Sequence, residues 1–281
     1  MQAGLVLGLL ICSIGLSHAA EAPQGKLLEA GVAPYISART LVTTYEPLRK
    51  HLEQSLARPT RLYSAPGFKA FQASSARGDF DLVITPAHFA RILQKEYGYI
   101  ALARYGGGAR GLIMVARNST MQGIQDLRGQ KVAVPDRLSL ASILCIEYLK
   151  EKGLHPEMEF QLVEAPSFNS ALQVVQNGEA AAAISAPAAL AQMPEALRNT
   201  VRTLVDTGEY INLVFLAHPR LGAAETERLK KQLLQFGKNT PEGRQFLADT
   251  AFGSLIPVAA GELRRLDPYL PETKRLLEGA P

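Results

Sequence analysis

Between Asp136 and Ser142 the chain reads Asp-Arg-Leu-Ser-Leu-Ala-Ser, directly after the β-branched run Lys131–Val134 and ahead of an apolar stripe at helical spacing that extends to Lys152. Strand, tight turn and helix follow one another there, and Ser139 stands where a helix N-cap is wanted. A capped helix start leaves backbone N–H groups pointing outward, and those groups together with the helix dipole attract an anion. The plainer alternative is that Ser139 only caps. The chemistry on offer is capture: a helix end gives an anion about 0.3–1 kcal/mol, up to ~2 when partly buried, and each charge-assisted hydrogen bond about 1.5–3. Micromolar affinity needs about 8 kcal/mol, so a second wall must close over the ligand.

Residues for covalent or metal chemistry do not assemble in the sequence. There is no Ser-His-Asp order with a nucleophile elbow, no His-Glu-x-x-His, no phosphate-loop Lys and no carboxylate pair beside the turn, so no catalytic residue, metal ligand or cofactor is expected. Asp136 is read as ordering the turn by bonding its own backbone. Gly106–Gly111 has the dinucleotide-binding glycine spacing, but an apolar strand, Leu112–Ala116, follows where that fingerprint needs a helix. Cys145, inside an Ile-Leu-Cys-Ile run, reads as a small buried hydrophobe rather than a reactive thiol.

The elements that must position the turn come in alternation. Strands are read at Lys26–Ala33, Thr60–Tyr63, Asp81–Ile84 and Tyr99–Tyr105, with helices at Tyr45–Ala57, Gly67–Arg77 and Ala87–Glu96 between them. A second series follows: strands at Lys131–Val134, Glu159–Glu164, Ala180–Ser185 and Val201–Val205, helices at Leu140–Lys152 and Asn169–Gly178. The tail reads as helices at Ala224–Lys238, Pro241–Thr250 and Ala259–Leu266. Such alternation predicts an α/β fold with parallel, doubly wound sheets. Leu112–Ala116 and Ile211–Ala217 are read as two hinge strands, one crossing out and one back, which divides the chain into a lobe of residues 26–111 and 212–281 and a lobe of residues 112–211 with a ligand cleft between them. Ligands in such folds sit beyond the carboxyl ends of strands. On that rule the opposite wall is drawn from Tyr35 and Ser37 after the first strand and from Thr85 and His88 after Ile84. Tyr210, at the start of the return strand, is a further candidate. Thr85 is also placed to cap the helix that begins near Ala87.

Residues 1–19 read as a secretory signal: an apolar run from Leu5 to Leu16 gives way to small residues, with cleavage expected after Ala19 and Ala20 or Ala22 as alternatives. Neither Lys nor Arg precedes the run, and Ile11 before Cys12 argues against a lipid anchor there. The 281-residue chain has a formal net charge of +4, which suits an anionic ligand. Its basic residues are scattered among acidic ones, without the aromatic interleaving of a nucleic-acid surface. A periplasmic monomer is expected.

Several stretches carry a resemblance. Gly31 to Pro34, Gly78 to Ala90 (GDFDLVITPAHFA), Ile124 to Ser142 and Ser167 to Ile184, in this order, resemble the phosphate/phosphite/phosphonate-type periplasmic solute-binding proteins. The resemblance covers nearly all of the chain after the signal. It implies the type II periplasmic-binding architecture, a small oxyanion as ligand and a membrane ABC permease as partner, or alternatively a sensor histidine kinase. The family's turn resembles Asp-Pro-x-Ser-Thr-Ser-Gly; here Ser139 is kept, Leu140 and Ala141 replace hydroxyl residues, and Ser142 replaces glycine. Fewer hydroxyl donors favour a ligand less highly charged than phosphate. Asn169 falls where the family often has a histidine that meets the anion; its other reading is the N-cap of the helix that follows. Arg137 is the nearest source of positive charge, or else a solvated surface residue.

Overall fold

The computed structural model describes residues 25–279 except 192 and 251, so the signal peptide reading lies outside the described residues. The first run comprises β1 (Leu28–Val32), α1 (Ala38–Leu56), β2 (Thr60–Tyr63), α2 (Phe68–Ala76), β3 (Leu82–Pro86), α3 (Ala87–Tyr97) and β4 (Ile100–Tyr105). After the short strand β5 (Gly108–Ala109) come β6 (Leu112–Ala116), β7 (Lys131–Val134), α4 (Leu140–Glu151), β8 (Gln161–Glu164), α5 (Phe168–Gln176) and β9 (Ala182–Ser185). Two short helices, α6 (Pro187–Ala191) and α7 (Glu195–Arg198), lead to β10 (Val201–Asp206). The chain returns through β11 (Tyr210–Ile211) into β12 (Leu213–Ala217), α8 (Gly222–Asn239), α9 (Pro241–Thr250), β13 (Leu255–Pro257) and α10 (Leu270–Glu278).

These strands make two sheets, six-stranded in the order β13-β4-β12-β3-β1-β2 and five-stranded in the order β10-β6-β9-β7-β8. Pairing is parallel among β1, β2 and β3 and among β7, β8 and β9. It is antiparallel wherever a strand enters from the crossing: β12 lies between β3 and β4, and β6 lies between β9 and β10. The all-parallel expectation is corrected at these strands. A chain arriving from the other lobe enters at the carboxyl ends of the parallel strands and must run against them. The hinge is relocated for the same reason. Leu112–Ala116 belongs to the second sheet, and the predicted strand Ile211–Ala217 breaks at Asn212; the crossing is a two-stranded ribbon in which Tyr210 pairs with Ala109 and Ile211 with Gly108.

Helix α1 shows how local sequence sets an element. Leu41, Tyr45, Leu48, Leu52 and Leu56 recur at helical spacing and are buried, and Ser37 Oγ accepts the Thr40 N–H at 3.3 Å to start the helix seven residues before the predicted Tyr45. Pro47 inside it costs one backbone bond, which this buried stripe outweighs. Two close approaches require glycine. A Cβ on Gly31 would stand 2.5 Å from the Phe80 ring, and one on Gly111 would stand 2.6 Å from Cys145 Sγ and 2.8 Å from the Ala141 carbonyl. Gly111 thereby lets the chain leave the crossing directly against α4. In the tail, residues Glu262–Tyr269 form a 3-10 stretch rather than the predicted helix Ala259–Leu266.

The two sheets meet through a shared core. Leu140, Ile143 and Leu144 of α4 pack in one apolar cluster with Ala33, Val83 and Ala87 of the first sheet's side and with Leu263, Leu266 and Tyr269 of the tail.

Candidate anion site at the start of helix α4

The turn before α4 is held by its own side chains. Asp136 Oδ1 accepts the Leu138 N–H at 2.8 Å, and the Asp136 carbonyl accepts the Ser139 N–H at 3.0 Å, as the turn reading requires. Ser139 is the N-cap: its Oγ accepts the Ser142 N–H at 3.2 Å and donates to Ser142 Oγ at 2.8 Å. The first-turn amides of Leu140 and Ala141 have no acceptor within the helix. Both residues are 7% exposed, and Ser142 is fully buried. In this chain one of the two apolar replacements in the turn serves as packing: Leu140 joins the core shared with the first sheet.

The first sheet brings His88 to this turn and places Thr85 on the face that packs toward α4. His88, in the first turn of α3, is fully buried, and its Nε2 lies 3.1 Å from the Leu138 carbonyl, one residue before the cap. Thr85, near the end of β3, is fully buried, and by strand alternation it shares the face of Val83, which packs with Leu140, Ile143 and Leu144. Thr85 Oγ1 and His88 Nδ1 have no hydrogen-bond partner. Thr85 does not cap α3; Pro86 stands at that position, with no side-chain bond. Burial lowers the His88 pKa to about 3, opposed weakly by the Leu138 carbonyl, so the ring is neutral. The seated arrangement therefore draws full benefit from His88 above the ordinary histidine pKa of about 6.5 and loses it as pH falls from there toward about 3.

The remaining sequence candidates lie elsewhere. Tyr35 Oη is 3.0 Å from Tyr45 Oη, which is 3.2 Å from Tyr105 Oη, and the Tyr35 ring packs on Phe252, so Tyr35 faces the α1 core rather than the α4 turn. Burial pushes its phenol pKa up. Ser37 is exposed and caps α1. Asn169 is exposed at the second position of α5, and the cap there is Ser167, whose Oγ accepts the Ser170 N–H at 3.1 Å; the capping alternative for Asn169 is corrected accordingly. Tyr210, in the crossing ribbon, accepts a hydrogen bond from Tyr269 Oη at 2.6 Å, with Arg265 over its ring.

Other unpartnered buried polar atoms are Ser185 Oγ, at the end of β9, and Arg137 Nε, in the turn, and, away from the turn, atoms of Ser55, Gln72, Arg104 and Thr226. Ser185 was not among the sequence candidates, although it ends a parallel strand, which is the position the carboxyl-end rule marks. By alternation it shares the face of Ala183, toward α5 rather than α4. Cys145 is buried beneath Gly111, and burial pushes its thiol pKa up, so the inert reading fits. Among the described residues no cluster of three His, Cys, Asp or Glu side chains could hold a metal, and no helix is long and apolar enough to cross a membrane.

Set beside known proteins, the chain matches over residues 30–263 the family described as ABC transporter, phosphonate, periplasmic substrate-binding protein. It belongs to that family of periplasmic binding proteins. No curated protein sequence matches it significantly. Among solved structures it resembles PhnD1 from Prochlorococcus marinus in complex with methylphosphonate at 15% identity and TM-score 0.75, over 89% of this chain and 98% of that one. XAC2383 from Xanthomonas citri with bound chloride is 18% identical at TM-score 0.76, over 90% and 99%. The periplasmic aliphatic sulphonate binding protein SsuA from Escherichia coli is 19% identical at TM-score 0.57, over 90% and 94%. At these identities the likeness defines the fold, which is that of the two-lobed type II periplasmic binding proteins.

Proposed function

We infer that this protein captures a small phosphonate-like oxyanion between its lobes and delivers it to a membrane ABC permease. The observation that carries the reading is the contact of His88 with the capped α4 turn, with Thr85 on the sheet face turned toward α4; both are fully buried, and each keeps an unpartnered polar atom. Buried polar groups ordinarily find partners, and each one left open costs about 1–3 kcal/mol. A bound anion offers them partners and accepts from the α4 amides as well. Ser139, Leu140, Ala141 and Ser142 form one wall in this reading, Thr85 and His88 the other, with Arg137 as the nearby positive charge. Tyr35, Ser37, Asn169 and Tyr210 stand outside this buried group and are peripheral to it. The lobes are residues 26–111 with 212–281 and residues 112–211. The protein acts as a periplasmic monomer after removal of residues 1–19, and it is a carrier rather than an enzyme, as the transport family it belongs to supports. Lobe closure would serve a sensor kinase equally well, but the family is one of transporters.

Thermal melting against methylphosphonate, phosphite, phosphate and sulfate tests the reading. A ligand at a hundred times its Kd stabilises by about 2.7 kcal/mol, which raises Tm by several degrees. Ser139→Ala should remove most of that rise. A flat response to all four anions would overturn the reading.

A further inference from the structure

Resting on that binding reading, the geometry points to His88 as a specificity residue: its Nδ1 accepts a hydrogen bond from the ligand, so the site selects anions that still carry a proton, such as a monoprotonated phosphonate, over sulfonates and fully ionised oxyanions. The Leu138 carbonyl oxygen can only accept, so His88 Nε2, 3.1 Å away, must carry the hydrogen. A neutral imidazole protonated at Nε2 presents a lone pair at Nδ1. That lone pair is fully buried and has no partner.

The other groups around the α4 turn supply hydrogens. The Leu140 and Ala141 amides are donors, and the Ser142 and Thr85 hydroxyls can donate. Every oxygen of an anion suits them, but Nδ1 is repelled by a bare anionic oxygen and satisfied by an O–H. In the ligand-free protein burial lowers the ring's pKa to about 3, so the neutral form is the one that meets the ligand. No charged side chain contributes to that shift. Of the charged groups nearby, Asp136 bonds the Leu138 amide and Arg91, one turn along α3, is paired with Asp267 at 2.6 Å; Arg137, in the turn itself, keeps its Nε unpartnered.

Methylphosphonate and methanesulfonate separate this idea from plain anion binding. The two have nearly the same shape, and at mildly acid pH both are monoanions, but only the phosphonate retains an O–H. Calorimetric titration of the whole protein from pH 5 to 9.5 should show methylphosphonate binding at least tenfold tighter than methanesulfonate at the acid end. Its affinity should fall by up to about tenfold per pH unit once the second proton leaves, with the sulfonate taken as the reference. Any loss from protonating His88 in the open protein is common to both anions and cancels in their ratio. A second measurement needs no mutation: in protein with 15N-labelled histidine, His88 should be the Nε2–H form, and its Nδ1 resonance should move upfield with methylphosphonate and stay with methanesulfonate. Equal affinities with parallel pH profiles, or an Nδ1–H ring, would overturn the inference and leave the binding reading standing. Failure of both anions to bind would overturn the two together.

Discussion

Strand β3 carries a buried polar residue at each end, and the two are treated in opposite ways. At its amino end Asp81, 3% exposed, accepts from the Glu29 amide at 3.1 Å, from Arg58 Nη2 at 3.2 Å and from Arg220 Nε at 2.8 Å. Arg58 donates further to the Leu27 and Lys26 carbonyls, and Arg220 to that of Gly78. Four residues along, Thr85 is fully buried with no partner, as is His88 Nδ1 just beyond. A surface hollow of about 420 Å³ lies at the charged end, lined by Arg58, Asp81, Arg220 and Glu225. By size alone it invites a ligand, yet Asp81, Arg58, Arg220 and Glu225 are already engaged with one another. A charge cannot be buried without closing out its partners, because the desolvation cost is several kcal/mol per ion. A neutral hydroxyl or imidazole can be left open at a cost small enough to carry until a ligand arrives. Of the two ends of β3, the carboxyl end is thus the one that keeps unmet hydrogen bonds, as the proposed anion site requires.

The largest expected effect breaks the charged end. Asp81→Asn removes the carboxylate and leaves Arg58, 8% exposed, without its buried counter-charge. A loss of about 3–5 kcal/mol is expected, a fall in Tm of roughly 10 °C, with the affinity for methylphosphonate unchanged. A parallel collapse of affinity at a temperature where the variant is folded would mean that the two ends are not independent.

Thr85→Val should do the reverse at the other end. It deletes a buried hydroxyl that has no partner and keeps the side-chain shape, so the unliganded protein should gain about 1 kcal/mol, or about 3 °C in Tm. Ligand affinity should fall about tenfold. Stability and binding then move in opposite directions, which no residue of the Asp81 network should reproduce. If Thr85→Val destabilises the free protein as strongly as Asp81→Asn, the hydroxyl has a structural partner and the contrast between the two ends fails.

How much of this was legible in the sequence depends on how local each signal is. The strand Lys131–Val134, the Ser139 cap, the Asp136 turn and the helix Pro241–Thr250 are specified within a few residues and appear where the residues indicated. The type II fold followed from the alternation of elements and from the resemblance together. The direction of β12 was not legible, because it depends on where the chain re-enters the sheet, more than a hundred residues after it left. His88 was visible as a candidate, but its bond to Leu138, fifty residues away, was not, and that bond decides which nitrogen is left free. Tyr35 shows the converse. A tyrosine after a strand end has the right chemistry, and only the packing of Tyr45 and Tyr105 turns its hydroxyl into the other core. Leu140 and Ala141 read as lost hydroxyls, and for Leu140 the structure shows what replaced one of them, a contact between the sheets that a hydroxyl residue would not make as well.

The smallest effect sharpens the comparison from outside both ends. Lys150 of α4 lies 2.8 Å from Glu147 and 3.2 Å from Glu272 of α10, so one ion pair ties the second sheet's helix to the tail packed on α3. Glu272 is also held by Arg275 at 2.7 Å, the foremost of the causes that keep its carboxyl below the ordinary range. The Lys150 side chain is 27% exposed and that of Glu272 11%, a setting that is neither a free surface nor a sealed interior, and pairs with this much solvent access contribute at most about 1 kcal/mol. Lys150→Met should therefore shift the population with α4 seated against the first sheet by no more than about fivefold, as read by small-angle scattering of the ligand-free protein. Raising the salt should mimic the substitution in the parent and do little in the variant, since exposed pairs are screened while the His88–Leu138 bond and the burial of Leu140, Ile143 and Leu144 are not. If Lys150→Met opened the protein fully, the seating of α4 would rest on charge after all. The neutral contacts at the carboxyl ends of the strands would then be a consequence of closure and not what selects it.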